Sequence, residues 1–198
     1  DTDADRSVLK GKVVAIIGYG IQGRGQALNL RDSNVKVLVA QRPGGPNYDL
    51  AKQDGFKPVP AEEAAKQADV VILLTQDTLQ KQLYRESIAP HLRPGMALGF
   101  SHGFAILYGL ITPPNDVDVI MVAPKGPGSL LRSQYLEGKG VPALLAVHQD
   151  ATGRANQDSR PIDRPWYVRG MLNAPRSAWL MPALIALMSA FPPIAAPA

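Results

Sequence analysis

Three glycines at fixed spacing give the first candidate for chemistry. Gly18, Gly20 and Gly23 form a G-x-G-x-x-G motif after an apolar run, residues 13–17, and before a segment with helical periodicity. The first glycine permits a tight turn, the second lets a diphosphate approach the backbone, and the third lets helix and strand pack closely. The free N–H groups at the helix start favour an anion. The pattern predicts a dinucleotide pyrophosphate site; the alternative is a glycine-rich turn that binds nothing.

The end of the second predicted strand indicates which dinucleotide would bind. Gln41 and Arg42 stand where an NAD-binding domain usually has Asp or Glu for the ribose hydroxyls. A cation there favours the 2′-phosphate of NADP(H), because a charge-assisted hydrogen bond contributes about 1.5–3 kcal/mol. The alternative is a solvated surface arginine.

Two further side chains follow predicted strands. His102 comes after the fourth strand and Lys125 after the fifth, which places both at the carboxyl edge where open α/β sheets bind ligands. Histidine can transfer protons near neutral pH, and lysine can stabilise a developing oxyanion. From the residues alone, an ordinary loop role is the commoner interpretation of each. His91 and His148 lack this context and are interpreted as surface or strand-end residues.

A parallel sheet is needed to bring these residues together. Strand-like and helix-like segments alternate, which predicts a Rossmann-type α/β fold: a doubly wound, mostly parallel sheet with helices on both faces. The predicted strands are residues 13–17, 35–40, 69–75, 96–100, 117–123 and 141–147. The predicted helices are residues 22–33, 62–68 and 78–89, the last stopped by Pro90.

Composition narrows the class of protein. The chain has 198 residues, 45% of them hydrophobic, and no cysteine, which excludes disulfides and thiolate metal sites and suits a cytoplasmic location. Residues 1–150 carry 16 Lys/Arg against 15 Asp/Glu, so the net charge of +4 sits mainly in the tail and argues against a nucleic-acid surface. The apolar segment 179–191 is too short for a membrane span, which needs about 20 residues. The predicted domains are a Rossmann domain, 1–155, and a poorly ordered Pro/Arg-rich tail, 156–198.

Several stretches of this sequence resemble ketol-acid reductoisomerase, or acetohydroxy-acid isomeroreductase. They are residues 9–20 with Gln22 and Gly23, then 26–33, 42–44, 101–104, 118–128 and 140–153. The APKGPG and HGF segments are the most specific of them. The family catalyses a magnesium-dependent alkyl shift in 2-acetolactate or 2-aceto-2-hydroxybutyrate, followed by NADPH reduction to a 2,3-dihydroxy acid in valine and isoleucine synthesis.

The resemblance implies roles for individual residues. His102 and Lys125 would be active-site residues, and Arg42 would face the 2′-phosphate. Gly45 and Asn47 stand where the family has two serines that help to bind this phosphate, which narrows the preference for NADP over NAD. Asp77 would border the middle of the cofactor; the alternative is that it is a helix cap rather than a ligand contact. The remaining residues implied to contact the cofactor are Tyr19, Gly20, Ile21, Gln22, Thr78, Leu79, Gln80 and Gly128.

The tail departs from the family. The family continues beyond Gly153 into a helical, knotted domain that supplies acidic ligands for two Mg²⁺ ions and through which homo-oligomers form, whereas the tail offers only Asp158 and Asp163. We therefore expect a truncated chain that binds NADP(H), has no metal site of its own and is inactive alone. The alternatives are a family enzyme acting with a partner domain, a non-catalytic NADP(H)-binding module, and a dehydrogenase of another substrate class.

Overall fold

The computed structural model describes residues 9–155 and 167–169. The expectation of a poorly ordered tail concerns residues that lie almost entirely outside these ranges. Seven strands are present in the described ranges: β1 (Val13–Ile17), β2 (Lys36–Ala40), β3 (Val70–Leu73), β4 (Ala97–Phe100), β5 (Asp118–Pro124), β6 (Ala143–Gln149) and β7 (Tyr167–Arg169). Their α-helices are α1 (Ile21–Asp32), α2 (Pro46–Gln53), α3 (Ala61–Gln67), α4 (Asp77–Leu83), α5 (Phe104–Leu107) and α6 (Gly128–Leu136).

The strands form one sheet in the order β2-β1-β3-β4-β5-β6-β7. The first five are parallel, whereas β6 is antiparallel to β5 and β7 is antiparallel to β6. The predicted Rossmann-type, mostly parallel sheet is confirmed. Because β2 and β3 lie on opposite sides of β1, the chain changes direction across the sheet at this point, and ligands of such folds bind at the carboxyl ends of these strands.

Both faces of the sheet are buried, which explains the continuous apolar strands. Val14 and Ile16 belong to a core cluster with residues of α1 and α2, whereas Ala15 and Ile17 belong to a second cluster with residues of α3 and α5. Strand side chains alternate between faces, so a strand covered on both sides has no polar position to offer.

Several elements differ from the sequence prediction. Helices α2, α5 and α6 and strand β7 were not predicted. The helix after β3 begins at Asp77 and continues as a π-helical turn, Tyr84–Ile88, and a 3₁₀ turn, Ala89–His91, which contains Pro90. Strand β6 begins at Ala143, two residues later than predicted, because Pro142 lacks the N–H that a strand would use.

Candidate functional site

The turn after β1 requires glycine at two positions for reasons internal to the fold. Gly18 has φ of +102°, a backbone conformation that favours glycine, and an added Cβ would lie 2.9 Å from Cγ2 of Thr75. An added Cβ at Gly23 would lie 2.0 Å from the carbonyl oxygen of Gly18. These two glycines bring α1 against β1 and the turn against the end of β3.

Gly20 differs from Gly18 and Gly23 because no contact among the described residues requires a glycine there. It precedes α1 with φ of −75°, and an added Cβ would meet no described atom within 4 Å. Among the described residues no side chain caps α1, so the N–H groups of its first turn have no intrahelical partner. Open space beside free N–H groups and the positive end of a helix dipole fits an anionic group such as a pyrophosphate.

Tyr19 and Ile21 point in opposite directions from this turn. Tyr19 is fully buried, its ring packs edge-on against Phe56, and its hydroxyl donates to Asp54 Oδ2 at 2.9 Å. Burial, with the hydrogen bond to Asp54, raises the pKa of Tyr19 well above its usual range. The backbone N–H of Tyr19 donates to Gln41 Oε1 at 2.8 Å. Ile21 is 70% exposed, so of the two it is the side chain that lies open beside the turn.

The residues predicted to face a 2′-phosphate lie together at the start of α2. Arg42 is exposed and makes no hydrogen bond or ion pair in the part of the chain that the structure describes. Gly45 is the N-cap of α2 without a side-chain capping bond, and Pro46 is its first residue. Asn47 is exposed in the first turn. A free guanidinium beside a helix start suits an added phosphate.

The four predicted contacts after β3 divide into two kinds. Thr78 and Leu79 are exposed on the first turn of α4. Gln80 is only 3% exposed, and its Nε2 donates to the carbonyl oxygen of Thr75 at 3.0 Å and to Asp77 Oδ1 at 3.3 Å. Asp77 is the first residue of α4 and Gln76 its N-cap, and no side-chain capping bond is made. Gln80 Oε1 and Thr75 Oγ1 are buried with no hydrogen-bond partner among the described residues.

His102 and Lys125 lie at the carboxyl ends of β4 and β5, as predicted. The His102 side chain is 69% exposed, its Nδ1 lies 3.6 Å from Asp77 Oδ2, and the N–H of Phe104 donates to the same nitrogen at 3.3 Å. Lys125 is exposed, and its backbone N–H donates to the carbonyl oxygen of Pro142 at 2.7 Å.

Gly128, predicted near the nicotinamide, has a packing role. It begins α6 and is buried against α1, where an added Cβ would lie 1.9 Å from the carbonyl oxygen of Ile21. An added Cβ at Gly25 would in turn lie 2.6 Å from the carbonyl oxygen of Gly128. The two glycines let α1 and α6 cross backbone to backbone.

Three polar residues that shape the site, Gln26, Gln41 and Ser101, were given no contact of their own in the sequence analysis. Gln41 accepts from the turn, and Gln26 and Ser101 form a hydrogen bond of 3.1 Å beneath it. Gln26 carried a readable signal, because it lies among the inward apolar positions of α1, next to Ala27. A polar side chain on a buried helix face must have a partner.

The described residues offer nothing like a two-metal centre. Among residues 9–155 and 167–169, no three His, Cys, Asp or Glu side chains lie close enough together to hold a metal ion. Within the same ranges, no helix combines the length and apolar character needed to cross a membrane.

Comparisons with known proteins agree with this geometry. Residues 8–162 match the family described as "Acetohydroxy acid isomeroreductase, NADPH-binding domain". The chain is 55% identical to a ketol-acid reductoisomerase (NADP(+)) of Caldivirga maquilingensis and 56% identical to that of Methanopyrus kandleri, in each case over 155 residues, or 78% of this chain. These matches cover 47% and 48% of the two relatives, so the chain spans about half their length.

Solved structures give the same result. An NADH-preferring ketol-acid reductoisomerase from an uncultured archean superposes with a TM-score of 0.76 at 47% identity, covering 78% of this chain and 48% of that one. An oxidoreductase from Jannaschia sp. superposes with a TM-score of 0.58 at 20% identity, covering 72% of this chain and 55% of that one, which shows a shared fold alone.

Proposed function

This chain belongs to the ketol-acid reductoisomerase family through the family's NADPH-binding domain, and from this premise we propose that it binds NADP(H) at the carboxyl edge of its sheet. The observation that carries the proposal is the open space at Gly20 beside the free N–H groups of α1. The pyrophosphate would lie against the backbone of residues 18–23. Asp77, Thr78, Leu79 and Gln80 would border the middle of the cofactor.

The proposed preference for NADP(H) over NAD(H) rests on the end of β2. Arg42 would pair with the 2′-phosphate, with Gly45 and Asn47 at the start of α2 beside it. The residues at the end of β2, Ala40 to Arg42, include no acidic side chain to bind ribose hydroxyls, and the Gln41 oxygen already accepts from the N–H of Tyr19. A relative described as NADH-preferring shows that preference varies among similar proteins, so the margin at this site is a quantity to measure.

Titration with both cofactors tests this proposal. We expect Arg42→Ala to weaken NADPH binding about ten- to a hundredfold, the value of one charge-assisted hydrogen bond, and to leave NADH binding nearly unchanged. The matched control is Arg85→Ala, since Arg85 is also highly exposed and its pairing with Glu86 is loose, at 3.9 Å. Equal losses for NADPH and NADH in Arg42→Ala would contradict the assignment.

The proposed reaction is that of the family: alkyl migration in a 2-acetohydroxy acid, then reduction to a 2,3-dihydroxy acid. NADPH, when bound, supplies the hydride. His102 would exchange a proton with the substrate, and the Phe104 N–H on its Nδ1 would orient the ring. The Lys125 ammonium would stabilise negative charge that develops on a substrate oxygen. Gly128 would hold the Lys125 loop in place by fixing the start of α6.

For the 198-residue chain alone, a specific observation favours a second candidate, a non-catalytic NADP(H)-binding module. Magnesium sites need several converging oxygen ligands, and the described residues hold no such group. Five further acidic residues, Asp1, Asp3, Asp5, Asp158 and Asp163, lie outside the described ranges. We propose that the chain alone binds NADPH without turning over the acetohydroxy acid.

An NADPH-oxidation assay distinguishes the catalytic proposal from the non-catalytic one. NADPH oxidation is followed at a fixed chain concentration with 2-acetolactate and Mg²⁺, and no turnover above the substrate-free rate is expected. Turnover that disappears in His102→Ala and in Lys125→Ala, but persists in the surface variant His148→Ala, would overturn the non-catalytic proposal and assign the reaction to this chain.

A further inference from the structure

The side-chain amide of Gln26 is buried on α1, where an apolar side chain would pack as well. Gln26 is 0% exposed, although its neighbours on this face, such as Ala27 and Leu30, are apolar. Its Nε2 donates to Ser101 Oγ at 3.1 Å and to Gln22 Oε1 at 3.4 Å. Burying an amide is costly unless it is hydrogen-bonded, so this position is used for its two donors.

The hydrogen bonds continue in both directions. Ser101 Oγ donates to the carbonyl oxygen of Val122 at 2.8 Å, and Gln22 Nε2 donates to the carbonyl oxygen of Gly126 at 2.7 Å. Four hydrogen bonds therefore join Gly126, Gln22, Gln26, Ser101 and Val122; we call these five residues the polar chain. Ser101 directly precedes His102, and Gly126 directly follows Lys125.

Every hydrogen bond of the polar chain is donated outward from Gln26, along one arm to Gly126 and along the other to Val122. Gln22 gives its N–H to Gly126 and so presents its oxygen to Gln26, while Ser101 gives its proton to Val122 and so presents a lone pair. Both neighbours of Gln26 Nε2 are therefore acceptors, which fixes the orientation of the amide. Gln26 Oε1 is buried without a partner among the described residues, so only the donor end of this amide is used.

We propose that Gln26 is a positioning residue, whose amide holds the loops that carry His102 and Lys125 at a fixed distance from the glycine turn. The inference rests on the proposed function, in which the turn binds the pyrophosphate and the two loops face the nicotinamide half. Loosening the polar chain should weaken binding of whole NADPH. It should spare ADP-ribose 2′-phosphate, which lacks the nicotinamide half and would contact only the turn and the end of β2.

Two variants and a matched control test the inference. Gln26→Met keeps the length of the side chain and removes its donors, and Ser101→Ala removes the next link. Thr152→Val is the control, because Thr152 Oγ1 donates to Asp118 Oδ2 at 2.7 Å at the opposite end of β5. Amide hydrogen exchange is measured by mass spectrometry over residues 101–104 and over residues 124–127, where Lys125 and Gly126 carry the exchangeable amides because Pro124 and Pro127 have none. Dissociation constants are measured for NADPH and for ADP-ribose 2′-phosphate.

We expect both variants to exchange about tenfold faster in these two segments, and to bind NADPH about five- to tenfold more weakly, the value of a lost hydrogen bond of about 1 kcal/mol. Binding of ADP-ribose 2′-phosphate should stay within about twofold. The control should match the unaltered chain in all three measurements.

Unchanged exchange in the two segments, or equal weakening of both ligands, would overturn the inference. A chain that binds neither ligand before substitution would contradict the proposed function, and the exchange comparison alone would then decide whether Gln26 positions the loops. If Gln26→Met does not fold, Ser101→Ala decides, because it removes a single hydroxyl.

Discussion

Gly20 and Gly23 are three residues apart in one turn, but only Gly23 is required by contacts within the described fold. An added Cβ at Gly23 meets the carbonyl oxygen of Gly18 at 2.0 Å, whereas at Gly20 it meets nothing within 4 Å. The fold therefore explains the glycine at position 23, whereas no described residue explains the glycine at position 20. A diphosphate bound against the backbone would explain the glycine at position 20.

Alanine substitution should distinguish the two glycines. We expect Gly23→Ala to lower the free energy of unfolding by about 3 kcal/mol, because backbone atoms must move apart. Gly20→Ala should change it by less than about 1 kcal/mol, since its φ suits alanine. It should nevertheless weaken NADPH binding at least about tenfold, the value of one lost charge-assisted hydrogen bond.

Urea denaturation and NADPH titration of both variants measure these effects. A Gly20→Ala chain that binds NADPH as well as the unaltered chain would argue that the cofactor does not approach this backbone. Gly11→Ala does not serve as the control, because Gly11 has a positive φ of 77°. Gly45→Ala is also unsuitable, since Gly45 belongs to the proposed site. Lys36→Ala, on the exposed first residue of β2, tests for general effects.

Side-chain direction is the part of the site that the motif could not predict. The G-x-G-x-x-G pattern places Tyr19 in the turn, but the pattern holds no information on where the ring points. The ring points inward because Phe56 and Asp54, more than 30 residues away, complete a pocket for it. Gly128 is similar, since its contact with α1 depends on how two helices cross.

At the scale of elements, α2 shows why a short helix escapes sequence analysis. It has eight residues, begins with Pro46 after two glycines, and buries only Ala51. Contacts with residues of other elements stabilise this helix. Asp54, its C-cap, accepts from Arg24 Nε at 2.7 Å and Nη2 at 3.0 Å, and from Tyr19 Oη. Tertiary contacts of this kind leave no periodic pattern in the segment itself.

The contacts of Asp54 make a pH-dependent contribution to the free energy of unfolding. The hydrogen bond from Arg24 lowers the pKa of Asp54, so the folded state favours the carboxylate. A lowered pKa stabilises the fold above the unfolded value of about 3.9, and this stability is lost as the pH falls through the folded pKa. We expect Asp54→Asn to lose about 1 kcal/mol at pH 7, with a smaller difference from the unaltered chain below about pH 3.

Thermal unfolding between pH 7 and pH 2.5 measures this effect. Asp116→Asn is the control, because Asp116 is an exposed carboxylate in the loop before β5. A difference between Asp54→Asn and the unaltered chain that stays constant over this range would contradict the ion-pair explanation.

The strands were predicted well because their signal is local. Continuous runs of Val, Ile and Leu indicate strands buried on both faces, and the core clusters on either side of the sheet explain them. Helices α5 and α6 were missed for different reasons. Helix α5 has four residues, and α6 begins with Gly128 directly after Pro127, where the sequence suggests a turn.

For the whole molecule, sheet order follows from the fold class, whereas the reversal at β6 does not. Residues 141–147 read as one more buried strand, and strand direction is set by how the chain returns from α6. The polar chain is likewise a property of the assembled sheet. It joins residues about 75 and 100 positions apart, a separation that no local pattern encodes.

Ligand binding should be visible in the stability of the whole chain. A ligand that binds only the folded state, present at a hundred times its dissociation constant, stabilises by about 2.7 kcal/mol. For a domain of this size we expect NADPH to raise the melting temperature by about 5–10 °C. NADH at the same concentration should raise it less, and Gly20→Ala should reduce the NADPH shift. Equal melting temperatures with and without NADPH would contradict specific binding.

The crossing of α1 and α6 has a consequence for changes in chain length. Only residues 125–127 connect β5 to α6. One end of this connection is held by strand pairing, and the other by Gly128 against the backbone of Ile21. An inserted or deleted residue would have to break the strand register or the helix crossing. The number of residues in this loop is therefore fixed by the fold, whereas the identity of Lys125 is set by its proposed role in the reaction.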